Sequence, residues 1–143
     1  MVKGIIYSVL AGVLICIQGI FNTRASEKMG LWTTNFLVHG SGMLAVFIIL
    51  LLLGNNGLTS FTKVNKLYLL GGIIGVVIVF SVMKGITLLG ASYSITIVLI
   101  VQIIISAFIS NYGLFNEAVI SLDITKIIGL GFMMLGIVLF QLR

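Results

Sequence analysis

Gln18 and Asn22, then Asn35 and His39, then Gln102, Ser106 and Ser110 recur at four-residue intervals inside otherwise apolar stretches. That interval puts side chains on one face of a helix. Amides, hydroxyls and an imidazole can hold a polar ligand by hydrogen bonds, and a histidine can also titrate near neutral pH. In hydrocarbon the same groups find no solvent partner and call for an explanation. One explanation is that they join helices, at roughly 0.6 to 2 kcal/mol per interhelical hydrogen bond. Three stripes on three different segments exceed what joining requires. They point to a shared polar cavity lined by Gln18, Asn22, Asn35, His39 and Gln102, with Ser106 on its wall and Lys84 as a further candidate.

Lys84 is the one charge well inside an apolar stretch, about 7 Å from its end at 1.5 Å per residue. Two readings stay open: its stem snorkels to the interface, or its ammonium faces an anionic group in the cavity. His39 likewise reads either as a proton relay or as a neutral hydrogen-bond partner. The three acids, Glu27, Glu117 and Asp123, all fall in links between apolar runs. A carrier that exchanges cations for protons on a buried carboxylate has no residue for that step, so a neutral or anionic substrate fits better. With one His, one Cys, no serine elbow and no phosphate-cradling loop, no catalytic constellation is present. Neither an enzyme nor a cofactor or metal is expected. Cys16 allows no internal disulfide and reads as a small apolar side chain.

The elements that must position these groups follow from composition. Of the 143 residues 60% are hydrophobic and 8% charged, and the mean hydropathy is +1.32. Soluble domains carry about 25% charged residues, so the chain reads as an all-α integral membrane protein. The basic excess sits in links, where cations meet anionic headgroups, and does not indicate a nucleic-acid partner. A span takes roughly 20 apolar residues, and five fit, at about 4–21, 31–53, 67–89, 91–115 and 124–142. Together they form a single domain, 1–143, with a polar link at 22–30 and a turn signal at Asn55-Asn56-Gly57. Helices are required, because backbone amides in lipid must be satisfied internally and the runs lack barrel alternation. The Met1-Val2-Lys3 start resembles a signal peptide, but no small-x-small site follows, so no cleavage is expected.

Five spans put the termini on opposite sides. Lys3, Lys63, Lys66 and Lys126 then share one side, and Arg24, Lys28 and Arg143 the other, joined by Lys84 if it is counted there. Lys/Arg asymmetry sets orientation, and here it nearly vanishes. That points to insertion both ways up, the alternative being a weak bias that orients every copy alike. Proline is absent and glycine abundant. Gly71 with Gly75 forms a small-xxx-small pair. Gly129 and Gly136, with Met133 between them, mark a flat face on the last span suited to subunit contact or to packing within one chain.

The residues also carry a resemblance. Ala11-Gly12 through Gln18 to Asn22 resembles the opening of the YdcZ-like family of the drug/metabolite transporter superfamily. Asn35-Phe36-Leu37-Val38-His39-Gly40 is similar to its SF-x-x-G stretch. Leu70-Gly71-Gly72 with Gly75, Leu89-Gly90-Ala91 and Val101-Gln102 match its third and fourth spans. Tyr112-Gly113-Leu114-Phe115 resembles its FGLF-like motif, and Lys126 with Gly129 and Gly136 its last span. Three positions depart from the pattern: Asn111 stands where an acid usually precedes the motif, Asn35 replaces a serine, and Thr87 stands where a proline is usual.

The resemblance implies half of a ten-helix inverted-repeat transporter fold, in a bacterial cytoplasmic (inner) membrane. Such a half needs a second, antiparallel copy or a paralogous short partner. The expectation is a small-metabolite or drug transporter working by alternating access as a dimer around a midplane site. Gly129, Met133 and Gly136 would hold the subunits together. A membrane scaffold subunit and an ungated pore are the rivals.

Overall fold

Two glycines divide the chain where its helices turn. The computed structural model describes residues 2–54 and 64–142, in which five helices and no strand occur. These are α1 (Val2–Met29), α2 (Leu31–Leu53), α3 (Gly71–Leu89, preceded by a 3₁₀ turn Lys66–Leu70), α4 (Ala91–Tyr112) and α5 (Ile124–Gln141). All five are long and apolar enough to cross a membrane, α3 together with its preceding turn. Asn55-Asn56-Gly57, Lys63 and Arg143 lie outside the described residues.

Single glycines join α1 to α2 and α3 to α4. Gly30 has φ 84° and ψ 155°, and Gly90 φ 82° and ψ 160°, a region essentially closed to residues with a Cβ. Each closes the preceding helix with one amide bond, Gly30 N–H to Ser26 O and Gly90 N–H to Ile86 O, both at 2.9 Å.

Of the segment 22–30, expected as a polar link, residues 22–29 continue α1 and Gly30 alone is non-helical. No breaker precedes Gly30, and the hydroxyls are absorbed by the helix itself. Thr23 Oγ1 donates to Gly19 O at 2.8 Å and Ser26 Oγ to Thr23 O at 2.8 Å. Arg24 pairs with Glu27 at 2.9 Å on the exposed face. At the other end of the chain α4 stops at Tyr112, short of the expected 115. Gly113 turns left-handed (φ 60°), and Phe115 and Asn116 follow it with positive φ.

The described chain forms two compact units, Met1–Ala91 and Ser92–Arg143. In the first, α1, α2 and α3 pack against one another. The interior is small and polar: Asn22, Thr23 and Ser26 of α1 and Thr34 and Asn35 of α2 are buried, alongside Met83 and Ile86 of α3. Large apolar side chains such as Leu52 and Phe36 point outward. Lipid is as apolar as leucine, so close packing rather than apolar burial holds such helices together. Gly19 supplies the close approach: a Cβ there would lie 3.3 Å from both Ile86 Cδ1 and Val82 Cγ1. Of the expected pair on α3, Gly75 faces a neighbour, His39, whereas nothing approaches Gly71 within 4 Å.

In the second unit α5 returns beside α4. Ile100, Ile103 and Ile104 meet Leu130, Met133, Met134 and Ile137 in a narrow apolar seam. The connection between the helices is pinned back onto the end of α4. Ile120 N–H donates to Ser110 O at 2.9 Å and Leu122 N–H to Asn111 Oδ1 at 2.8 Å. Asp123 caps α5 by accepting from Lys126 N–H at 2.9 Å.

Candidate functional site

The α2 face carrying Trp32, Asn35, Phe36, His39 and Met43 repeats at helical spacing. With Gly40 and Val76 these residues line a hollow of about 410 Å³ in the first unit. Asn35 and Val76 tie its walls together: Asn35 Nδ2 donates to the Val76 carbonyl of α3 at 2.8 Å. Asn35 is 2% exposed, and its Oδ1 has no partner. One turn on, His39 Nδ1 lies 3.0 Å from the Asn35 carbonyl oxygen. A carbonyl only accepts, so Nδ1 carries the hydrogen and Nε2 is left with its lone pair in the neutral ring. Nε2 abuts α3 at Gly75, 3.3 Å from where a Cβ would stand. At one end of the hollow Trp32 stacks on Phe80 of α3, ring centroids 4.6 Å apart at 27°.

The second unit holds its own hollow. The α4 stripe Gln102, Ser106 and Ser110 borders two adjoining grooves of about 500 Å³ each. One extends to Ile120, Leu122 and Lys126, the other to Val101, Ile105, Ile109 and Glu117. Lys126 Nζ donates to Ser121 O at 2.6 Å, which holds the ammonium at the rim. Hollows in both units fall in the size range of small-molecule sites, roughly 300–1,000 Å³.

The expected site residues thus fall into two groups. Asn35 and His39 come together in the first unit, and Gln102 and Ser106 in the second. Asn22 is buried in the interior of the first unit, while Gln18 and Lys84 stand at exposed positions and do not line the Asn35–His39 hollow. On α5, Met133 lines the seam with α4, whereas nothing stands within 4 Å of a Cβ placed on Gly129 or Gly136. Sequence reasoning passed over Trp32, Phe36 and Met43, although their spacing with His39 carried the signal. It also missed Lys126 and Glu117 as groove residues. Their placement depends on the pinned 113–123 connection, which no local pattern announces.

Five helices long and apolar enough to cross a membrane define a multi-pass α-helical membrane protein. The family is specific: residues 4–139 match the model described as "Putative inner membrane exporter, YdcZ". The chain belongs to this family and is a multi-pass inner-membrane protein. No curated protein and no solved structure matches it.

Proposed function

We propose that the chain is half of a small-metabolite or drug carrier that works by alternating access as a dimer with a second, antiparallel copy or a paralogous short partner. The observation that carries this reading is that a few polar side chains border mainly apolar hollows in both units: Asn35 and His39 in one, Gln102, Ser106 and Ser110 in the other. Alternating-access carriers place such groups at the interface of inverted repeats near the bilayer midplane. Gln18 and Lys84, exposed on the single chain, join the cavity in the assembled dimer, whereas Asn22 stays in the interior of the first unit.

The three acids lie at α1's last turns beside Arg24, in the α4–α5 connection and at the α5 cap. None stands mid-helix, although Glu117 borders one groove of the second unit, opposite in charge to Lys126 of the other; the lack of a mid-helix carboxylate supports a neutral or anionic substrate. The near-even distribution of lysine and arginine supports insertion in both orientations, and the open Gly129–Gly136 face of α5 supports contact with a second copy.

Liposome flux tests the reading. A carrier gives saturable exchange, a pore gives unsaturable leak, and a scaffold gives neither. Orientation is read separately, from single cysteines in a Cys16→Ala background. Labelling from both sides of the membrane is expected, and labelling from one side alone would exclude an antiparallel homodimer.

A further inference from the structure

We infer that the substrate of this carrier is a single-chain amphiphilic anion, its chain lying in the Trp32–Met43 hollow and its anionic head meeting Lys84. The inference rests on the carrier reading above and names the substrate class. The two polar side chains at the hollow are turned into the α2–α3 contact: Asn35 Nδ2 donates to Val76 O at 2.8 Å, and His39 Nε2 abuts Gly75. What remains as wall is Trp32, Phe36, Gly40, Met43 and Val76. Phe36 and Met43 are exposed, so the hollow opens on the outer surface of the unit, where an apolar chain enters sideways from the bilayer.

The dimensions match one hydrocarbon chain. Trp32 lies at the start of α2, and Met43 stands about 16 Å further along the axis at 1.5 Å per residue. That is the depth of one leaflet, half of a bilayer core about 30 Å thick. Spread along this length, the hollow of about 410 Å³ has a section of about 25 Å². One extended chain fits, and two do not.

A cation stands where the head of such a chain would lie. Val76, Phe80 and Lys84 are spaced by four and form one ridge of α3. Val76 walls the hollow, and Phe80 stacks on Trp32 at its end. Lys84 follows one turn, about 6 Å, beyond Phe80, and its Cα–Cβ bond leans back along α3 towards that ring. Around the helix Lys84 stands about 160° from both Val82 and Ile86 at 3.6 residues per turn, and those two meet Gly19 of α1. Lys84 is exposed and so shares the outer face with the hollow. Glu27 is the one acid in residues 1–91, and it is paired with Arg24 at 2.9 Å. Among the described residues Lys84 has no ion-pair partner. A cation within a span calls for an anion, and an anionic head at the aromatic end of the hollow supplies it. A cationic head there would be repelled.

Trp32 is the one tryptophan of the chain and lines the hollow, so its emission reports occupancy directly. In phosphatidylcholine nanodiscs, stearate brominated at mid-chain should quench it along a saturable curve above the linear quenching by bulk lipid. Octadecanesulfonate should displace the quencher, and octadecanol and octadecylammonium should not. Lys84→Gln should weaken the saturable binding about tenfold, which is about 1.4 kcal/mol, and Lys84→Arg should retain it. Gly40→Leu should abolish it with helix content unchanged, because a Cβ at Gly40 meets nothing within 4 Å and a longer side chain fills the hollow. Quenching that rises only linearly, displacement by octadecanol, full affinity in Lys84→Gln or saturable binding that survives Gly40→Leu overturns the proposal. Should Lys84→Gln not fold, the three competitors on the wild type still decide the charge of the head.

Transport is read as counterflow in proteoliposomes. Radiolabelled dodecanesulfonate, a permanent anion, should enter vesicles preloaded with the unlabelled compound, and Lys84→Gln should abolish that entry. Counterflow of a defined mixture of amino acids, sugars and organic acids without counterflow of the sulfonate overturns the substrate class and leaves the carrier standing. Absence of both sinks the carrier reading and the substrate role with it, and the quenching series still decides whether the hollow holds the anion.

Discussion

Asn35 of α2 donates to the main-chain carbonyl of Val76 on α3 at 2.8 Å, while its own Oδ1 is buried without a partner. The bond contributes about 0.6 kcal/mol by the average for interhelical pairs in membranes. The orphaned oxygen opposes it by about 1–3 kcal/mol. Replacing both with an apolar group of similar size should therefore be nearly neutral. Asn35→Leu is expected to unfold within about 1 kcal/mol of wild type in detergent titrations. Asn35→Asp, whose carboxylate cannot donate to Val76 O, is expected to lose several times that, because it adds a buried unpaired charge. A large loss in Asn35→Leu would mean that a buried water satisfies Oδ1.

Gly30 and Gly90 share one backbone conformation, with φ of 84° and 82°. Alanine at either should cost about 1–3 kcal/mol. The contrast is Gly12, in mid-helix with nothing within 4 Å of a Cβ. There alanine should stabilise the helix by about 0.5–1 kcal/mol. Thermal unfolding of the three variants in one detergent checks the ordering, and equal effects at Gly12 and Gly30 would contradict it.

Asn111 accepts from Leu122 N–H at 2.8 Å and fastens the α4–α5 connection. Only an acceptor is needed there, so Asn111→Asp should keep the anchor and Asn111→Ala should lose about 1 kcal/mol. Hydrogen exchange at the Leu122 amide is the direct readout. Faster exchange is expected in the alanine variant alone.

Gln102 borders both grooves of the second unit, beside Ser106 and Ser110. Gln102→Ala should abolish saturable exchange in liposomes while chemical crosslinking still captures the dimer. Wild-type flux in that variant would remove Gln102 from the binding site. Gln18→Ala gives the matching test on α1.

Gly129 and Gly136 have open space above them within the chain. Gly129→Leu is expected to leave the helical content of the protomer unchanged and to weaken self-association about tenfold or more, since one lost close contact of 1.4 kcal/mol is a factor of ten. Light scattering across a detergent dilution series measures it. Unchanged association would move the dimer contact away from this face.

Helix number and the positions of the polar stripes were legible in the residues alone, because lipid permits only structures that satisfy their own backbone and four-residue spacing projects onto one helix face. The same local rules located Gly90 as a break. They could not say that 22–29 continues α1, since Thr23 and Ser26 look like link residues until the helix is seen to absorb their hydroxyls. Nor could they separate equivalent-looking polar residues. Gln18 and Asn22 share a spacing, yet one is exposed and the other buried, because burial depends on where α3 crosses. The Asn35–Val76 bond spans 41 residues, and the seating of His39 against Gly75 is likewise a product of helix packing. Periodicity is a property of one helix; which ring nitrogen faces which glycine is a property of two.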